Sequence, residues 1–327
     1  MPILPTPDYL PPLPFRSGNI ATLYPPLFRP TPHMPEPVQE RINTPDGDFL
    51  DMDHHASRTG KTRKLVIVSH GLEGHSRKKY VLGMARMATS RGYDAICWNQ
   101  RGCGQDVNNL PRSYHSGETN DIHSIIAHCL NTGKYETVAL IGFSMGGNQI
   151  LKYLGEAPDR VPAQVAAAAT FSVPCDLSAT ERVIARPSRR IYLEYFMTGL
   201  RETIRTKGKI FPEEVDATLL RQVRTLRDFD DCYTAPLNGF TDAADYYTQS
   251  SSKQYIENVR IPALLVNAKD DPFLPEECYP VAEAETNPNF MLEIPHHGGH
   301  VGFVQGGRGN VYWSEKRAGD FLAQQLG

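Results

Sequence analysis

The stretch TVALIGFSMGGNQILKYL, residues 137–154, constrains the fold more than any other part of the chain. Its first half is a short apolar run of strand length and its second half has helical apolar spacing. The G-x-S-x-G of Gly142, Ser144 and Gly146 joins them with no loop between. A chain that passes from strand to helix so abruptly leaves no space for side chains two positions either side of the central residue. Glycine at those positions meets that need, and the serine hydroxyl is left at the tip, above the sheet. The helix that starts there adds positive potential near a developing negative charge. The same glycines do not follow the G-x-G-x-x-G spacing of a dinucleotide site, and no G-x-x-x-x-G-K-[ST] phosphate loop occurs.

The rest of the chain repeats the strand-then-helix alternation. KLVIVSHG (64–71), DAICWNQRG (94–102), QVAAAATFSV (164–173), PALLVNAKD (262–270) and NFMLEIP (289–295) are short apolar runs of the kind buried on both faces of a parallel sheet. Helical spacing lies between them at 79–92, 118–133 and 147–158, the first two ending in Gly92 and Gly133. The pattern predicts a doubly wound α/β sheet, mostly parallel, with helices on both faces and ligand chemistry at the carboxyl ends of the strands. From about 178 to 258 the alternation stops and long helical stretches take over, which predicts an inserted helical cap. Residues 1–37 are Pro-rich and aperiodic and read as an extended arm, with the main unit over 38–327.

A serine nucleophile needs a base to take its proton and a carboxylate to fix the tautomer of that base, here in the chain order Ser, acid, His. After the run 262–270 stand Asp270 and Asp271, whose side chains point opposite ways in extended chain, so at most one reaches the base. Pro272 extends the residue before it, and Asp271 lies further into the loop; Asp271 is preferred, with Asp270 bonding nearby amides. After the last strand come His296, His297 and His300, and Gly298-Gly299 permit a bend that swings His300 back toward Ser144. The spacing is not H-E-x-x-H, so a zinc site is not expected there, and no metal or organic cofactor is called for. The oxyanion should meet the amide of Met145, after the nucleophile, and that of Leu72 in SHGLEGH (69–75).

The formal net charge of −3 gives no footprint for nucleic acid. The six cysteines are scattered with no C-x-x-C pair, which suits a reducing cytoplasm. The N-terminus is broken by prolines and no window is apolar enough to span a bilayer, so neither secretion nor membrane insertion is expected.

The ordered blocks HGLEG (70–74), RGCG (101–104), YHSGETND (114–121), GFSMGGN (142–148), FDDCYTAPLNGF (229–240), NAKDDPFLP (267–275) and HGGHVGF (297–303) resemble the AB hydrolase 4 family, the YheT-like α/β-hydrolases. SGNIATLYPPLFR (17–29) is similar to that family's opening segment, so the resemblance covers nearly the whole chain. It implies an α/β-hydrolase fold with Ser144 as nucleophile, Asp271 as acid and His300 as base. It also implies action on carboxylic esters, from short-chain esters to acylglycerol-like or phospholipid-like lipids. Eukaryotic relatives often carry an N-terminal membrane anchor, from which this chain departs.

Three functions fit these residues. The first is a serine ester hydrolase working through an acyl-enzyme. An acyltransferase would pass the same acyl group to an alcohol. A catalytically idle binding protein of the same fold is the third, and the complete Ser, Asp, His set argues against it. In the cap, residues 182–209 mix many Arg and Lys with Tyr192, Tyr195 and Phe196. That mixture is read first as a solvated basic helix face and second as a surface for peripheral contact with anionic lipid.

Overall fold

The computed structural model describes residues 3–5, 7–307 and 309–326; Met1, Pro2 and Thr6 of the arm and Arg308 and Gly327 of the main unit lie outside the described residues. Eight strands form one sheet: β1 (Val38–Asn43), β2 (Phe49–His55), β3 (Lys64–Ser69), β4 (Asp94–Asn99), β5 (Thr137–Phe143), β6 (Val165–Phe171), β7 (Ala263–Val266) and β8 (Phe290–Glu293). Their order is β1-β2-β4-β3-β5-β6-β7-β8. β2 is antiparallel to both β1 and β4, and the pairings from β4 across to β8 are parallel. The six apolar runs of the sequence are β3 to β8; the largely exposed β1 and the buried but less apolar β2 add a hairpin at the edge. Its turn at 44–48 is closed by Thr44 N–H donating to Asp48 O (2.9 Å), with Gly47 at φ +87°.

The N-terminal arm is corrected in one respect: Gly18–Phe28 form a helix, α1, rather than extended chain. Pro25 and Pro26 remove two ladder donors from its second half, so tertiary contacts carry it. Gly18, Ala21 and Pro25 form its buried face. Asn19 Oδ1 accepts from Tyr192 Oη (2.8 Å) and Thr22 Oγ1 accepts from the His300 amide (2.9 Å). Gly18 lies so near the chain after β7 that a Cβ would stand 1.7 Å from Asp270 O.

Successive residues of the central strands feed opposite layers, which is why the strands read as unbroken apolar runs. Leu65, Ile67, Val138 and Leu140 pack one layer, and Val66, Val68, Ala139 and Ile141 the other. Helix α2 (Lys79–Ser90) and the C-terminal helix Trp313–Leu326 close the second layer through Val81, Met84, Phe321 and Leu322. Helices α3 (Asn120–Asn131) and α4 (Met145–Glu156) close the first through Ile122, Ile125, Ile150 and Leu151. Gly92 (φ +87°) and Gly133 (φ +68°) take the left-handed conformation just past the ends of α2 and α3.

Between β6 and β7 the described residues form helices and turns without a strand, led by α5 (Leu177–Ile184) and α6 (Arg190–Ile210). This segment has its own cluster, Tyr192, Leu193, Met197, Ile204, Phe229 and Tyr233, joined by Phe273 and Leu274 from the loop after β7. A buried lysine ties α6 to the loop between β4 and α3: Lys207 Nζ donates to the carbonyls of Leu110 (3.0 Å), Pro111 (3.0 Å) and Arg112 (2.6 Å). Burial lowers that ammonium's pKa to about 7. Among the described residues no helix is long and apolar enough to cross a membrane.

The RGCG block takes a structural role. Arg101, 3% exposed, donates to Asp121 from Nε (2.8 Å) and Nη2 (2.6 Å), and from Nη1 to Asp46 (2.8 Å) and Asp48 (3.1 Å). It thereby ties the β1–β2 turn, the end of β4 and the start of α3 together. Removing one partner of a buried ion pair strands the others without compensation. Arg101→Met is therefore expected to lower the free energy of urea unfolding by about 3–5 kcal/mol. Arg63→Met, whose pairing with Glu136 is exposed on both sides, should change it by less than about 1 kcal/mol.

Candidate functional site

Strand β5 ends one residue before Ser144, and α4 starts one residue after it. Ser144 has φ 50° and ψ −121°, a conformation that costs a non-glycine residue about 1–3 kcal/mol and persists only where its surroundings dictate it. The glycines show how they do so. A Cβ on Gly142 would lie 2.7 Å from Gly146 O, and one on Gly146 would lie 2.5 Å from His70 O. The turn, the first turn of α4 and the loop after β3 are thus in backbone contact, with Ser144 N–H bonded to Phe171 O (2.9 Å).

Ser144 Oγ lies 2.9 Å from His300 Nε2, and His300 Nδ1 lies 2.9 Å from Asp271 Oδ2. Asp271 Oδ1 accepts from Phe273 N–H (2.9 Å), so the carboxylate is fixed at both oxygens, and its side chain is fully buried. With Asp271 accepting at Nδ1, His300 holds its proton there and turns a free lone pair toward the serine hydroxyl. Gly298 and Gly299 make the bend, at φ +158° and +59°. A Cβ on Gly299 would lie 2.6 Å from Gly18 O, and the His300 amide donates to Thr22 Oγ1, so α1 braces the histidine loop.

The other two histidines and the other aspartate stay outside this chain of bonds. His297 Nδ1 lies 3.4 Å from Asp270 Oδ2, Asp270 Oδ1 accepts from Gly299 N–H (2.8 Å), and His296 is exposed. Asp270 thus serves the loop that carries His300. Burial holds its carboxyl above the usual range, against the opposing pull of the Gly299 amide. Among the described residues no group of three or more His, Cys, Asp or Glu side chains is arranged to hold a metal ion.

Leu72 and Met145 flank the serine, and among the described residues neither backbone amide makes a hydrogen bond. The loop bearing Leu72 is pressed against the Ser144 turn, since a Cβ on Gly71 would lie 3.1 Å from Ser144 Cβ. His70 anchors it: Nε2 accepts from Gln100 N–H (3.1 Å), so Nδ1–H donates to Gly71 O (2.8 Å). Burial lowers the His70 pKa to about 4, which keeps the ring neutral and the tautomer single.

A cavity opens above Ser144 and His300, roofed by α5, α6 and the turns that follow them. Met145, Leu177, Ile184, Phe196, Leu200 and Phe229 give it an apolar wall. Three carboxyls, Glu73, Glu181 and Asp230, also line it, and among the described residues no Lys or Arg does. Burial raises the pKa of all three, Asp230 to about 7; Tyr247 Oη donates to Asp230 (2.7 Å) and Tyr114 Oη to Glu73 (2.6 Å). No spacing hinted at these carboxyls, because they come from three distant segments. Thr22 was legible only as part of an N-terminal block, with no local signal for its contact with the His300 loop.

A family model described as the alpha/beta hydrolase fold matches residues 64–307. The protein YheT of Escherichia coli (strain K12) is 32% identical over 325 residues, covering 98% of this chain and 94% of its own. Phospholipase ABHD3 of Mus musculus is 31% identical over 290 residues, 86% of this chain and 70% of its own. Monoacylglycerol lipase of Saccharomyces cerevisiae is 30% identical over 280 residues, 83% of this chain and 60% of its own. Among solved structures, the esterase Pf2001 of Pyrococcus furiosus matches in fold with a TM-score of 0.61 at 17% identity, covering 91% of this chain and 97% of that one. The mostly parallel eight-stranded sheet, the match over most of the chain and a relative aligned along 98% of it agree: the chain belongs to the α/β-hydrolase family, in the AB hydrolase 4 branch that includes YheT.

Proposed function

We propose that this protein, a carboxylic ester hydrolase, cleaves its substrate through an acyl-enzyme on Ser144, with His300 as general base and Asp271 holding the imidazole. The observation that carries this function is the unbroken hydrogen-bond chain from Asp271 through His300 to Ser144 at the floor of the cavity. The serine attacks the ester carbonyl as His300 takes its proton, and the tetrahedral oxyanion meets the free amides of Leu72 and Met145. Collapse expels the alcohol, protonated by His300, and water then repeats the sequence to release the acid. The apolar wall suits an acyl chain, and relatives named phospholipase and monoacylglycerol lipase support lipid esters as the substrate class. The segment between β6 and β7 acts as the cap that closes over that chain.

Ser144→Ala is expected to lower kcat on a short p-nitrophenyl ester by at least about a thousandfold and to abolish labelling by a fluorophosphonate probe. Asp271→Asn, which presents the wrong tautomer of His300, should lower kcat by about ten-thousandfold. Full activity in Ser144→Ala would sink the mechanism.

The raised carboxyl of Asp230 gives the cavity a pH dependence. Its pKa of about 7 leaves it neutral in mild acid and charged above neutrality. A charge in an apolar wall disfavours an acyl chain. KM for a long-chain neutral ester should therefore rise as pH goes from about 6 to about 8. In Asp230→Asn the same profile should be flat, and steady-state kinetics of the two proteins side by side decide it.

A further inference from the structure

The backbone amides of residues 71–74 are paired in an unusual way. Gly71 N–H donates to Tyr80 Oη (3.0 Å), Glu73 N–H donates to Tyr114 Oη (3.1 Å), and Gly74 N–H donates to Gly71 O (3.0 Å). Leu72 N–H, between the two amides held by phenols, is the one left free among the described residues. Backbone groups are normally paired with backbone in turns. Here two side chains from separate elements supply acceptors to alternate residues of one short loop.

Each phenol is itself fixed. Tyr80 stands on α2, and its ring meets Phe143, the residue before Ser144, edge-on at 4.8 Å and 62°. Tyr114, in the stretch between β4 and α3, donates its proton to Glu73 Oε1 (2.6 Å) while accepting from the Glu73 amide, which closes a ring on one residue. Glu73 Oε2 in turn lies against α6, where a Cβ on Gly199 would stand 1.8 Å from it. Burial holds both phenols protonated, far above their ordinary range. Glu73 has φ 56°, in the left-handed region that a non-glycine residue avoids. Released from these bonds, the loop gains by relaxing out of that conformation, and the Leu72 amide turns with it.

We propose that Tyr80 and Tyr114 are positioning residues that clamp the loop 71–74 by its alternate amides, leaving the Leu72 amide as the free donor directed at the oxyanion. The inference rests on the proposed roles of Ser144 and Leu72. Neither phenol touches the reacting atoms; each acts through the amide between them. A donor held before the reaction starts needs no reorganisation as charge develops, which is where such groups gain their strength.

Tyr80→Phe and Tyr114→Phe keep the rings and remove the acceptor. Losing an oxyanion donor outright costs about a hundred- to a thousandfold in kcat. Each Phe variant, which loosens the donor without deleting it, should lose about tenfold in kcat on a short p-nitrophenyl ester, with KM within about twofold. Affinity for a trifluoromethyl ketone, which forms a tetrahedral adduct with the serine, should weaken by the same factor. Inhibition by the product acid should stay unchanged. A rise in KM with kcat unchanged, or an adduct as tight as in the parent protein, would overturn the clamp. Should the Phe variants not fold, Glu73→Leu, which removes the carboxylate that Tyr114 holds, should lower kcat and adduct affinity together; unchanged kcat there overturns the clamp as well. Ser144→Ala in the same series separates the two claims. Its retained activity refutes the nucleophile, whereas an inactive Ser144→Ala beside fully active Phe variants refutes the clamp alone.

Discussion

The structure depends on the close approach of three backbone segments around Ser144: the strand-to-helix turn, the first turn of α4 and the loop after β3. A left-handed serine is unfavourable alone, and here the surrounding carbonyls leave it no other conformation. The approach is possible because Gly142, Gly146 and Gly71 have no Cβ to separate the segments. One contact thus exposes the hydroxyl and brings the Leu72 loop to its side. It also directs the N-terminus of α4 at the same point, where its unpaired amides and dipole favour negative charge.

Asp271 and His300 stand on the loops after β7 and β8, which need outside support. Asp271 is fixed by the Phe273 amide, and the His300 loop is braced by Asp270 and by α1 of the N-terminal arm. The arm therefore belongs to the site although it stands more than two hundred residues away in sequence from the histidine it holds. Its helix survives two prolines because its bonds to Tyr192 and His300 replace what the ladder lacks.

The helical segment over the site gives the cavity a mixed character. Its wall is apolar, yet among the described residues it carries three carboxyls and no Lys or Arg, the carboxyls raised by burial toward the neutral form. Such a surface favours an uncharged chain over an anionic group, since no Lys or Arg among the described residues lines the wall to offset the cost of desolvating a phosphate or free acid.

The sequence alone determined the strands β3 to β8, their alternation with helices along the chain, and the strand-turn-helix around Ser144, because each is written in local spacing: apolar runs, helical periods and G-x-S-x-G. Pro272 and the Gly298-Gly299 bend pointed to Asp271 and His300 from local chain geometry alone, and in the structure His300 bonds both Asp271 and Ser144, which is the basis of the roles proposed for them. The helix in the Pro-rich arm was not legible, because long-range bonds outweigh a local propensity that reads against it. The acidic cavity wall and the paired tyrosines on the Leu72 loop were decided only by tertiary structure. Tyr80 and Tyr114 come from different elements, and nothing in their own neighbourhoods records that folding will bring both phenols to alternate amides of one loop.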